Sequence, residues 1–407
     1  MENNIVQLPF GIKGVKAEKV EYEGDISIVY LVKQMDFGVC PCCGTISNKI
    51  KDRATINRVI DIPIPELKIK YRLVKRRFKC INTLCTTNTF TEAIDGLRKS
   101  HVYTDPFTNY IYHLAKRSTC SEIYQHLKKD YGLDISRSSF YLKYQEACLN
   151  YSVDNDNPVS TPYIGLDEFS KGSGHDYGVV ITDLAKKKII EMVDGGKTKE
   201  AAKHAISFVE TEKITACCID MWEPFKLAIA ESIPNALIVI DPFHVIQKVN
   251  EAVDKVRKRV RKRLKLPEKK ESLFDVKSLI LSGSERITDK QVIKLWEILS
   301  LDVELKKAYE FKELLRMLYK RQDKENVPKY FSNWIKEALY SGIPEVIEAS
   351  TTYQNWFSEI LNWWKHPISN GFTEGIVNKI KTVDRRAYHY NNFESLRHKV
   401  LTIQNNS

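Results

Sequence analysis

Apolar and polar positions change their period several times along the chain. In "VIDIPIPELKIKYRLVKRRF" apolar and charged residues alternate, which predicts strands. From Asp105 to Leu149 the spacing lengthens to that of three short helices. Thr119 and Glu122 form a capping box before the second of these, and Gly132 follows it as a C-cap. Ser136 can cap the third, "RSSFYLKYQEACL". The polar stretch "VDNDNPVSTP", with two prolines, reads as a linker. From Tyr163 the pattern runs strand, strand, strand, helix, strand, helix, strand. "ITACCID" and "NALIVID" are unbroken apolar runs, as expected of strands covered on both faces. A long helix follows, with Val249, Val253, Val256 and Val260 in one stripe. Residues 267–365 are charged, helical and aromatic, and no long strand is evident. The stretch from Ile368 to Tyr390 begins as a turn and changes into a last helix. At 100° per residue, Ile376, Ile380 and Val383 fall on one of its sides, with Glu374, Asn378, Lys381 and Arg385 on the other.

These shifts divide the chain into five expected segments. Residues 1–100 form a first module, and 101–152 a helical module with the parts of a helix-turn-helix. Residues 153–266 give the first part of an α/β core with a mixed sheet. Residues 267–365 form an all-helical insertion, and 366–407 the final core helix and tail. A length of 407 residues fits several domains. No run of about 18 apolar residues occurs, so no transmembrane helix is expected. "MENNIVQLPFGIKGVK" lacks the layout of a secretory signal, so a cytoplasmic, nucleoid-associated protein is expected. The net charge of +11 favours an anionic partner, nucleic acid first. Nine cysteines, an odd number, fit a reducing compartment better than a disulfide scaffold.

The cysteines are not spread evenly. Cys40 and Cys43 make a C-x2-C pair, and Cys80 and Cys85 a C-x4-C pair. Each spacing lets two thiolates meet one tetrahedral ion from a tight turn, so a structural Zn²⁺ is expected. Cys42 could replace either neighbour. Cys217 and Cys218 sit in an apolar run and read as small buried hydrophobes.

Acids mark the sheet. Asp167 interrupts the apolar strand "YIGLDEFS", and Asp220 and Asp241 each end an apolar run. A carboxylate at the end of a buried strand costs stability unless its charge is used. Ligands of α/β sheets gather outside strand C-terminal ends. Carboxylates without neighbouring cysteine pairs favour Mg²⁺ or Mn²⁺. Spacing leaves open whether Asp220 or Asp241 is the partner of Asp167. Three cationic regions are candidate DNA contacts. Residues 51–79 hold ten Lys/Arg against three Asp/Glu, and residues 255–265 hold eight Lys/Arg, including Lys255, Arg259 and Arg261. In the helical module, Arg137, Ser138 and Lys143 would face a groove.

The order of these motifs resembles the bacterial DDE transposases of the ISL3 family of insertion sequences, over nearly the whole chain. "CPCCG" and "RRFKCINTLC" resemble the family's zinc finger. "YIGLDEF" and "CCIDMW" resemble its first two acidic blocks, and "SNGFTEGIVNKIKTVDRRAYHYNNFESLR" its C-terminal signature. The resemblance implies a ribonuclease-H-like catalytic fold with an inserted helical domain. It implies Asp167, Asp220 and Glu374 as a catalytic triad that holds Mg²⁺, which selects Asp220 over Asp241. "DPFH", from Asp241 to His244, is similar to a D-x-x-H element near the site in related enzymes. Lys381 is similar to a basic residue that such enzymes use against DNA, and Asn378 and Arg385 would follow the backbone from the same helix face. The activity implied is metal-dependent cleavage at element ends and strand transfer into target DNA, by a homodimer or higher oligomer. Two rivals differ in what they need. A DNA-binding regulator with an inactive nuclease fold does not need three acids, and a structure-selective nuclease does not need two N-terminal readers.

Overall fold

A computed structural model describes residues 12–64, 66–94, 103–152, 158–171, 176–265, 273, 276–390 and 392–404. The chain forms two compact units. One runs to Asp154 and takes back Arg386–Ser407; the other is Asn155–Arg385.

The first unit opens with a sheet built of β1 (Val15–Glu23), β2 (Ile26–Lys33), β5 (Ile50–Val59), β6 (Lys68–Lys79) and β7 (Thr89–Thr91). Their order is β1-β2-β6-β5, with β7 on β6. Strands β2 and β6 are parallel neighbours, and their inward residues Leu31 and Leu73 are fully buried. The short β3 (Gly38–Val39) and β4 (Ile46–Ser47) form a separate ladder around the first cysteine pair. Helices α1 (Asp105–Ala115), α2 (Cys120–Tyr131) and α3 (Arg137–Ser152) follow, where the periodicity predicts them. The Thr119–Glu122 capping box is present, Gly132 closes α2 in the left-handed conformation, and Ser136 accepts from the Ser139 amide. Phe107, Ile111, Ile123, Leu127, Phe140 and Ala147 make their shared core.

The second unit carries a five-stranded sheet of β8 (Tyr163–Ser170), β9 (Tyr177–Asp183), β10 (Lys188–Asp194), β11 (Ala216–Ile219) and β12 (Leu237–Ile240). The order is β10-β9-β8-β11-β12. The first three are antiparallel, and β8, β11 and β12 are parallel. This mixed sheet matches the expected order of elements. Helix α4 (Lys199–Ile206) joins β10 to β11, α5 (Glu223–Ser232) joins β11 to β12, and α6 (Pro242–Arg263) leads from β12 into a helical region. The four valines of the α6 stripe are fully buried. The helical region holds α7 (Lys277–Leu281), α8 (Asp289–Leu299), α9 (Val303–Leu318), α10 (Val327–Leu339), α11 (Pro344–Asn355) and α12 (Phe357–Leu361). Trp334, Trp356 and Trp364 are buried there, whereas Trp296 is exposed.

Helix α13 (Gly371–Arg386) carries the signature that ends the second unit. Ile376, Ile380 and Val383 are buried and Asn378, Lys381 and Arg385 exposed, as its periodicity predicts. The last helix, α14 (Phe393–Gln404), departs from expectation. It belongs with the first unit rather than with the sheet that carries the acids. Ser395 Oγ lies 2.7 Å from Tyr141 Oη, and the Lys399 ammonium donates to the carbonyls of Ala115 and Ser118. A cation at the open C-terminal end of α1 satisfies carbonyls that the helix itself leaves without partners.

Candidate active site

Asp167 lies midway along β8 and is nearly buried. Burial and then the negative charge of Asp220 push its carboxyl up to about 7. Its Oδ1 accepts the Glu168 amide at 2.8 Å. Asp220 follows β11 directly, beside β8 in the sheet. His244 Nε2 lies 2.8 Å from Asp220 Oδ1. Burial pushes the imidazole down, but its hydrogen bond to Asp220 and that carboxylate's charge raise it overall. The central β8 and β11 thus bring two acids near one another, and the first turn of α6 supplies a histidine to one of them. Glu168 has its side chain paired with Lys197.

Asp241 follows β12 and does something else. Its Oδ1 accepts from the Phe243 amide and caps α6. Its Oδ2 accepts from Ser369 Oγ at 3.1 Å and from the Asn370 amide at 2.5 Å. It therefore holds the entrance of α13. Asn370 is buried, and its Nδ2 donates to the Leu166 carbonyl, next to Asp167, at 3.0 Å. Thr373 Oγ1 meets Thr182 Oγ1 on β9 at 2.7 Å. Gly165 makes this approach possible, since a Cβ there would lie 2.3 Å from both Asn370 Oδ1 and Thr373 Oγ1. Side chains alternate along a strand, so Gly165 and Asp167 share the sheet face on which α13 starts. Glu374, part-exposed, is the next residue after Thr373. Asn370 and Gly165 escaped the sequence reading. "SNG" reads as a turn, and nothing local reveals that its Asn is a bolt between strand and helix.

The four cysteines come together. Cys40 Sγ is 3.9 Å from Cys85 Sγ, and Cys43 Sγ is 3.6 Å from Cys80 Sγ. All four sulfurs lie within 4.8 Å of one another, the one such group of three or more metal-ligating residues among the described residues. A tetrahedron with Zn–S near 2.3 Å has edges of about 3.8 Å, so the set fits zinc. Cys42 is outside the group and points to Thr86 Oγ1 at 3.5 Å. Asp167, Asp220 and Glu374 do not reach the same mutual spacing, but their hard oxygen donors are of the type Mg²⁺ takes.

Some expected DNA contacts are placed elsewhere. Lys143 is only 2% exposed, over the Tyr103 ring and 3.0 Å from Glu146. Position 143 falls in the inward stripe of Phe140, Tyr144 and Ala147, so the helix period turns it away from solvent. Arg137 and Ser138 are exposed. On α6, Lys255 pairs with Glu348, and Arg259 with Glu345 and Glu304 of the helical region. Arg261 is part-exposed. The basic run thus serves in large part to dock α6 on acidic helices.

An acid-bearing mixed sheet in one chain with a four-cysteine cluster of zinc-compatible spacing defines an α/β protein with an acidic centre and a cysteine cluster that could hold a metal. The model of the ISL3 group of DDE proteins, described as transposase, matches residues 164–400, and the chain belongs to this transposase family. The chain is 25% identical over 407 residues to the transposase for insertion sequence element IS1001 of Bordetella parapertussis, covering 97% of this chain and 96% of that protein. It is 24% identical over 257 residues to the transposase for insertion sequence element IS1557 of Mycobacterium tuberculosis, covering 57% of this chain and 58% of that one. No described helix is long and apolar enough to cross a membrane.

Proposed function

We propose that this protein is the transposase of an insertion sequence, which binds the element's ends, cleaves there and transfers the strands into target DNA. The observation that carries the reading is the attachment of α13 to β8 through Asn370 and Leu166. It tethers the helix with Glu374 to the strand with Asp167, whose carboxyl is pushed up by burial and then by the like charge of its neighbour Asp220. Two acids that repel one another suit a divalent cation between them.

In this reading Asp167, Asp220 and Glu374 hold Mg²⁺ or Mn²⁺ on a ribonuclease-H-like core. The ions supply activation of the attacking water or 3′-hydroxyl and stabilisation of the leaving oxygen. The chain's own residues set up that site. His244 pairs with one oxygen of Asp220, and Asp241 fixes the start of α13. Asn378, Lys381 and Arg385 lie exposed along α13 and suit backbone contacts. The cysteine cluster holds a structural Zn²⁺, and α2 and α3 act as a helix-turn-helix with Arg137 exposed at its groove side. The decisive experiment joins a labelled end duplex to plasmid DNA with Mg²⁺. Wild type should join it. Failure to join, with intact end binding, would favour a regulator of the same fold.

A further inference from the structure

Two large rings stand in the open beside the acidic centre, where packing has no use for them. Trp222 lies two residues beyond Asp220 and is 41% exposed. Phe243 lies two residues beyond Asp241 and is 54% exposed, edge-on to the His244 ring at 5.4 Å. Trp222 lines a cavity of about 240 Å³ together with Asp220, His244 and Glu168. The indole is not loose. Its Nε1 donates to the Lys197 carbonyl at 3.1 Å. Lys197 is in turn held by its ion pair with Glu168 and by the Tyr177 ring, 4.3 Å from its ammonium. An exposed indole fixed by its one donor loses little freedom when a flat partner lies on its face. The surroundings choose the partner. Acids with a site for cations take a phosphodiester, and a ring beside them takes the base that phosphodiester carries.

We infer that Trp222 is a stacking platform for a nucleobase next to the scissile phosphate. A base reaches such a platform only after leaving its neighbours in the duplex, so the substrate is locally unstacked at the cut. Every base offers a flat face, so the platform tolerates any sequence there. This inference rests on the function proposed above and adds to it the state of the DNA that the site accepts.

The test uses the full chain and a duplex spanning the junction of the terminal repeat with its flanking DNA at this gene's locus. With Mg²⁺ omitted, bound wild type should make thymines at the junction reactive to permanganate. Trp222→Ala should bind the duplex as tightly without that reactivity, and Trp222→Phe should keep it. With Mg²⁺, Trp222→Ala should cleave the intact duplex roughly tenfold more slowly, as expected for one lost stacking contact. A two-base mismatch at the junction should restore its rate. A bound wild type without reactive thymines, or a Trp222→Ala defect that the mismatch leaves in place, overturns the inference. A protein that opens the junction but cleaves no end duplex keeps the platform and removes the transposition reading. If the end duplex is not bound at all, oligothymidylate decides: an affinity that Trp222→Ala leaves unchanged overturns the platform.

Discussion

Asp241 accepts the backbone amide of Asn370 at 2.5 Å, across 129 positions of sequence. One oxygen of this strand-end acid caps α6 and the other fixes the start of α13. It is therefore a positioning residue, and both of its oxygens are occupied as acceptors. Asp241→Asn leaves one acceptor and turns an NH2 toward a donor, which should cost about 1–3 kcal/mol of stability. Cleavage should fall less than in Asp220→Asn. Thermal melts beside end-cleavage rates measure both, and an Asp241→Asn protein as inactive as Asp220→Asn would make Asp241 part of the acid set.

Gly165→Ala tests the attachment from the strand side. The added methyl meets Asn370 and Thr373 at 2.3 Å, so α13 must shift. End cleavage should drop at least tenfold while binding of the end duplex holds. The Mn²⁺ concentration for half-maximal cleavage should rise, because Glu374 moves with the helix. An unchanged Mn²⁺ midpoint would separate Glu374 from the cation site.

Asp167→Asn, Asp220→Asn and Glu374→Gln each keep shape and remove one charge. Groups acting as one unit give single losses nearly as large as a double loss. Cleavage by each single variant should therefore be close to that of the Asp167→Asn/Asp220→Asn double variant, with end binding intact. Additive losses in single-turnover cleavage would argue against a shared site.

Zinc should be present at about one ion per chain by elemental analysis. Structural zinc supplies folding energy directly. The cysteines that would hold it adjoin only a small cluster, Cys40 with Phe78 and Phe90, too few residues to hold β6 and β7 by themselves. Cys80→Ser should unfold the first sheet and leave the second unit folded, as limited proteolysis can show. Cys42→Ser should keep the zinc.

Lys399 is buried, and desolvation pushes its ammonium down to about 8. The folded state then binds fewer protons than the unfolded one between about 8 and the ordinary lysine value of about 10.4. The contribution of Lys399 to stability should thus rise with pH across that window and stay flat below it. The difference in melting temperature between wild type and Lys399→Met, followed from pH 7 to 10, should shift in favour of wild type above pH 8. A difference that does not change with pH would show that Lys399 keeps its proton throughout.

Local pattern alone was enough for α1 to α3, the central strands, α6 and α13, and for some of their ends, but not for β1, β2 or α14. Caps, such as Thr119 with Glu122 and Gly132, act within one turn, so their effect is written locally. The α6 stripe and the buried side of α13 follow from periods of three and four residues, and the cysteine pairs from tight turns. The order of the central strands and their acids was legible for the same reason. What tertiary structure decided were partners at long range. Lys143 is the exception: read as a groove cation, it lies in the inward stripe that the period of α3 itself marks with Phe140, Tyr144 and Ala147. The cations of α6 looked free until the acids of α9 and α11 came opposite them. Helix α14 joined the first unit by burying Leu396, Val400 and Leu401 there, with Lys399 on the carbonyls that end α1. Asp241 and Asp220 end similar strands, yet one caps helices while the other faces His244. A charge carries no mark of its partner in the local pattern, since the partner is chosen by topology that closes 45 residues away for Arg259 and Glu304 and 129 away for Asp241 and Asn370.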